Sequence, residues 1–142
     1  MFAQDWGGLL GLRLVAENPS LFKGMVLSNT GLPTGKGMTD GFKQWLDYSQ
    51  NVEEFDVGKI VNQGSMQTLS NHEIAGYNAP FPSDKYKAAA RAFPRFVPVT
   101  EEHAQVSENI NAWRKLKKFT KPTLTMFGKN DPVFIGTESA LI

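Results

Sequence analysis

Apolar residues along this chain fall either into short continuous runs or into helical spacing, and the change from one to the other divides it into three zones. Ala3 leads into Asp5, and from Gly7 to about Glu17 the spacing predicts a helix, which Asn18-Pro19-Ser20 breaks. The run Gly24-Met25-Val26-Leu27-Ser28 then reads as a buried strand. Residues 1–32 are therefore expected to form a β-turn-α-β unit of a parallel sheet. From Pro33 to about Phe119 the pattern is helical, interrupted by Gly, Pro and Asn and without convincing strand alternation. This predicts an all-helical insertion over 33–119. Helix starts are legible at Thr39-Asp40 and at Ser70-Asn71-His72-Glu73, where Ser and Glu can satisfy each other's free amides as a capping box. A longer helix follows Thr100, with Val106, Ile110 and Trp113 as its apolar stripe. Pro122-Thr123-Leu124-Thr125-Met126-Phe127 returns to a buried strand closed by Gly128-Lys129-Asn130-Asp131-Pro132, so residues 120–142 rejoin the sheet, and Phe134 to Ile142 reads as the opening of another helix.

Composition removes several function classes. A net charge of +1 gives no electrostatic case for a nucleic-acid or anionic-membrane partner. The run Arg114-Lys115-Leu116-Lys117-Lys118 fits the solvated end of a helix, where cations favour the C-terminal dipole. The absence of cysteine excludes disulfides, thiolate metal sites and cysteine nucleophiles. No apolar run reaches the roughly 20 residues of a membrane span, and no signal peptide is visible, so a cytoplasmic protein is expected.

Candidate chemistry begins at Ala3-Gln4-Asp5-Trp6-Gly7-Gly8. A nucleophile elbow of the α/β-hydrolase type holds its nucleophile at a strained strand-to-helix turn, with small residues two before and two after. Ala3 and Gly7 stand at those places around Asp5. A carboxylate in the serine position can attack a saturated carbon and form an alkyl ester. Such a sheet has its elbow in mid-chain, yet four residues precede Asp5. The chain is therefore expected to be an internal piece of a longer protein. Strand, helical insertion and strand together predict an α/β class, the α/β-hydrolase fold with a partial parallel sheet and an inserted helical cap domain. Catalytic groups in such sheets lie at the carboxyl ends of strands. Asp131 lies just past one, in the order nucleophile, acid, histidine. His72 and His103 precede Asp131, so neither fits as the base, which is expected beyond Ile142.

Five stretches in order carry a family likeness: Gln4-Asp5-Trp6-Gly7-Gly8, Asn29-Thr30-Gly31-Leu32-Pro33, Gly41-Phe42-Lys43-Gln44-Trp45, Ala79-Pro80-Phe81-Pro82 and Ala92-Phe93-Pro94-Arg95-Phe96-Val97. Together they resemble haloalkane dehalogenases, and more narrowly the subfamily whose second halide ligand is a cap tryptophan. The resemblance implies hydrolysis of haloalkanes to alcohol and halide through an aspartyl ester. Asp5 would be the nucleophile, Asp131 the acid behind the histidine, and Trp6 and Trp45 the halide ligands. It also implies a substrate pocket lined by Phe42, Phe93, Pro94 and Val97, no metal or organic cofactor, a small halogenated hydrocarbon and halide ion as partners, and a monomer. An indole N–H suits halide because it donates, accepts nothing and does not titrate. The alternative for Trp45 is a core aromatic sharing a helix face with Phe42, and Trp113, in its helical stripe, reads as core. An epoxide hydrolase would use the same aspartate with cap tyrosines, for which Tyr48, Tyr77 and Tyr86 are candidates, and a non-catalytic remnant is a third reading.

Overall fold

Three short strands, β1 (Phe2–Gln4), β2 (Met25–Ser28) and β3 (Thr123–Met126), pair in that order in a computed structural model that describes residues 1–141. Both pairings are parallel, in a register that aligns Ala3 with Leu27 and Leu27 with Thr125. Parallel neighbours need crossover connections. Helix α1 (Trp6–Glu17) supplies the first, and the long stretch between β2 and β3 supplies the second. Leu12, Val15 and Ala16 on α1 are buried with Ala3, Met25 and Leu27 of the sheet, which is the core.

The helices of the second crossover are α2 (Asp40–Asn51), α3 (Val57–Gln63), α4 (Asn71–Asn78), α5 (Ala88–Ala92) and α6 (Val106–Leu116). They do not form one body. The chain divides into a unit of Met1–Trp45 together with the stretch from Val97 onward, and a second unit of Leu46–Phe96. The helical zone expected over 33–119 is thus split, and both its ends go with the sheet. Packing explains this at α6, whose Val106, Asn109 and Ala112 are buried. Trp113 and Leu116 pack on the core beside α1, and Trp113 Nε1 donates to the Leu32 carbonyl at 2.8 Å. Charged side chains tie the same two helices: Arg13 to Glu108, and Lys115 to Glu17 at 2.8 Å. The expected stripe is corrected at Ile110, which is exposed. It lies about 100° around the helix from Asn109, the centre of the buried face.

Two further differences concern β3 and the stretch after Phe134. The strand expected to be buried at 122–127 is β3, whose Leu124 and Met126 are each 53% exposed, because it pairs on one side only. The stretch read as a new helix after Phe134 is a 3-10 turn over Thr137–Leu141, and Ile142, expected to continue that helix, lies outside the described residues.

Within the second unit, Ser70 caps α4 with both arms of the capping box made. Asp56 caps α3 and also accepts from Asn78 Nδ2 at 2.8 Å, joining α3 to α4. Arg91 donates to the carbonyls of Ser49, Val52 and Glu53, with its guanidinium over the Phe55 ring. It closes the C-terminal end of α2.

Candidate active site

Asp5 separates β1 from α1 with φ 47° and ψ −126°, backbone values that side chains other than glycine's rarely take. Such a conformation costs on the order of 1–3 kcal/mol and persists only where its surroundings over-determine it. Here they do. Asp5 N–H donates to the Asn29 carbonyl at 3.0 Å, while the Asp5 carbonyl accepts from Gly8 N–H at 2.9 Å and from the Thr30 hydroxyl at 2.7 Å. Thr30 is fully buried. Its side chain fills the space where a Cβ on Gly8 would stand, whereas a Cβ on Gly7 would meet Ala3 Cβ at an ordinary 4.0 Å. The glycine that the turn requires for close approach is therefore Gly8, one place beyond the position read from the motif.

Held this way, Asp5 remains exposed. Partial burial of its carboxyl nevertheless raises its pKa, and the nearby Asp131 charge pushes the same way, against a hydrogen bond from the Trp6 backbone N–H. Asp131 follows a turn in which its own N–H donates to the Gly128 carbonyl at 3.1 Å. One carboxylate oxygen, Oδ1, accepts from Val133 N–H at 2.8 Å and Phe134 N–H at 3.2 Å; the other, Oδ2, accepts from Asn29 Nδ2 at 2.5 Å. Asp5 after β1 and Asp131 after β3 thus flank Asn29 at the end of β2, Asp5 bonded to it through its backbone N–H and Asp131 through its carboxylate.

The start of α2 is fixed to the loop after Asp131. Thr39 Oγ1 donates to the Val133 carbonyl at 2.6 Å and accepts from Phe42 N–H at 3.2 Å. A Cβ on Gly41 would collide with the Pro132 carbonyl, so glycine permits that contact. Phe42 is buried and Trp45, one turn on, is half-buried. Trp6 opens α1 and is also half-buried, and Val97 is buried in the same unit. Phe93 and Pro94 belong to the other unit, where Phe93 is 45% exposed with its ring edge-on to Phe96 and Pro94 is buried. Tyr48, Tyr77 and Tyr86 lie in that unit as well, all partly exposed. His72 is exposed in the first turn of α4, and His103 Nδ1 accepts from Gln105 N–H at 3.2 Å, a local turn contact. A hollow of about 690 Å³ beside β3, bordered by Leu27, Trp113 and Leu124, includes neither Asp5 nor Asp131. Among the described residues no group of three or more His, Cys, Asp or Glu could hold a metal ion.

Asn29 and Thr30, which hold Asp5, and Thr39, which holds the loop after Asp131, had no role assigned by the motif. Asn29 gave one signal, an asparagine directly after a strand, since Asn is enriched where φ is positive; its φ is 40°.

No family model matches the chain. A haloalkane dehalogenase of Psychrobacter cryohalolentis is 47% identical over 137 residues, 96% of this chain and 45% of that protein. One from Mycolicibacterium paratuberculosis is 38% identical over 143 residues, covering 100% of this chain and 48% of its own length. The chain thus spans about half the length of the curated relatives it matches. Among solved structures, a tetrameric haloalkane dehalogenase from Paraglaciecola agarilytica superposes with a TM-score of 0.72 at 22% identity, over 99% of this chain and 57% of that one. Haloalkane dehalogenase from Bradyrhizobium elkani gives 0.71 at 23%, over 98% and 54%. These likenesses give the fold: a three-stranded parallel portion of an α/β-hydrolase sheet with helices attached.

Proposed function

We propose that this chain, which over its whole length is homologous to haloalkane dehalogenases, supplies the nucleophile and the acid for hydrolysis of carbon–halogen bonds in small haloalkanes. In the first step an Asp5 carboxylate oxygen attacks the halogen-bearing carbon. A C–O bond forms, and the C–X electron pair leaves with halide, which the Trp6 and Trp45 indoles receive. Charge moves from a carboxylate to a departing anion, so donors aimed at that anion lower the barrier. In the second step water adds to the acyl carbon of the ester and gives a proton to a histidine, which returns it to the leaving alkoxide. The sum is R–X plus water giving R–OH, halide and a proton. Asp131 orients that histidine and stabilises its imidazolium. The order nucleophile, acid, histidine puts the base after Asp131, so it is neither His72 nor His103. Phe42, Val97, Phe93 and Pro94 are the candidates to line the pocket around the alkyl chain.

The observation that carries this reading is the strained turn at Asp5, a cost that ordinary helix capping would not require. Partial burial of the Asp5 carboxyl also suits an anion that must shed water before attacking carbon. The test is a single turnover of the whole protein in oxygen-18 water. Label is expected in the Asp5 carboxylate, because water attacks the acyl carbon; label confined to the alcohol would overturn covalent catalysis by Asp5.

A further inference from the structure

The side chain of Asn29 has no part in the two steps above, yet it stands between the two carboxylates. Its backbone carbonyl accepts the Asp5 N–H at 3.0 Å, and its Nδ2 donates to Asp131 Oδ2 at 2.5 Å. Its Oδ1 accepts from Gly128 N–H at 3.1 Å and from the Ser28 hydroxyl at 3.3 Å. These partners fix the amide's orientation: an N–H donor faces its oxygen and a carboxylate faces its nitrogen. Few side chains meet all the demands of this position. It needs a donor toward a carboxylate, an acceptor toward a backbone N–H, and tolerance of φ 40°. Aspartate would supply the acceptor but set a second carboxylate against Asp131.

The consequence lies in what Asp131 has left to offer. A carboxylate has about four acceptor positions. Val133 and Phe134 occupy Oδ1, and Asn29 takes one place on Oδ2, so the remaining place is on Oδ2, in a direction set by the amide. We propose that Asn29 is a positioning residue that aims this last acceptor site of Asp131 at the imidazole N–H of the general base. It thereby governs hydrolysis of the ester, and carbon–halogen cleavage does not depend on its side chain. This rests on the functional reading above.

The test separates the two steps in the whole protein. Asn29→Gly removes the side chain, keeps the carbonyl that anchors Asp5 and accepts positive φ without strain. Asn29→Asp keeps the size and the acceptor but turns a carboxylate toward Asp131. With excess alkyl bromide followed by rapid mixing, both variants are expected to release a first bromide per site at the wild-type rate. Steady-state turnover then falls by about 10- to 100-fold, the cost in rate of losing a hydrogen bond to a charged group. An unchanged steady state in both variants overturns the assignment. So does an equal loss in the first release and the steady state, which would mean that Asn29 shapes the Asp5 turn. Absence of any bromide release from the wild type overturns the functional reading itself.

Discussion

Asp5 sustains two unfavourable terms at once, a positive φ and a carboxyl whose pKa is raised by burial and by Asp131. A carboxyl whose folded pKa lies above its unfolded 3.8 opposes folding when ionised. That penalty is absent below the unfolded value and reaches its full size as pH rises through the folded one. In the whole protein Asp5→Asn, which tolerates the same backbone, is therefore expected to raise the thermal midpoint at neutral pH. It should abolish halide release. Calorimetry on both forms from neutral pH downward checks the sign, because the gap should narrow toward pH 4. At the proposed second halide position, Trp45→Phe keeps an aromatic ring but deletes the indole donor. Weaker bromide quenching of tryptophan fluorescence, slower halide release and an unchanged thermal midpoint are expected; unaltered bromide affinity would assign Trp45 to packing alone. The strand-to-helix turn at Asp5 and the loop that holds Asp131 were legible because each is written in a few adjacent residues. Asn29 was not, because its role is defined by Gly128 and Asp131, about a hundred residues away, and no spacing rule joins them.

Helix ends show the same division at the scale of elements. The capping box at Ser70 was legible since its donor and acceptor lie three residues apart, and both bonds are made. Asp56 at the start of α3 combines such a local cap with a distant partner. Lys59 N–H and Asn78 Nδ2 both donate to it, and its pKa falls to about 2. Only 16% of its side chain is exposed, so these bonds are shielded from water in part. A carboxyl with a lowered folded pKa stabilises above its unfolded 3.8, and that stability is lost as pH falls through about 2. Asp56→Ala should cost about 1 kcal/mol at neutral pH. Urea midpoints of the two forms should converge between pH 4 and 2, and a gap that persists there would assign the effect to something other than the charge. Element faces were less legible than element ends. The stripe through Ile110 had acceptable periodicity, but which side of α6 is buried was decided by α1 and by the Leu32 carbonyl that holds Trp113. The same packing groups α6 with the sheet.

At the scale of the molecule, the sheet leaves apolar surface in water. Parallel sheets are normally covered on both faces, because βαβ crossovers place helices there. Here Phe2 on one edge strand is 69% exposed and Leu124 and Met126 on the other are each 53% exposed. The hollow of about 690 Å³ beside β3, bordered by Trp113, Leu116 and Leu124, lies along the same strand. Unpaired strand edges recruit other strands. The 142-residue chain expressed by itself is therefore expected to bind an apolar dye such as ANS, to self-associate with rising concentration and to melt without a sharp transition. Its chemistry should stop halfway. Asp5 needs no base to displace halide, so release of up to one bromide per chain is possible. No histidine follows Asp131 in these residues, and without a base the ester persists. Mass spectrometry should then find the alkyl group on the peptide that contains Asp5. Many bromides released per chain, together with a cooperative thermal transition, would show that residues 1–142 carry a complete site and a closed core.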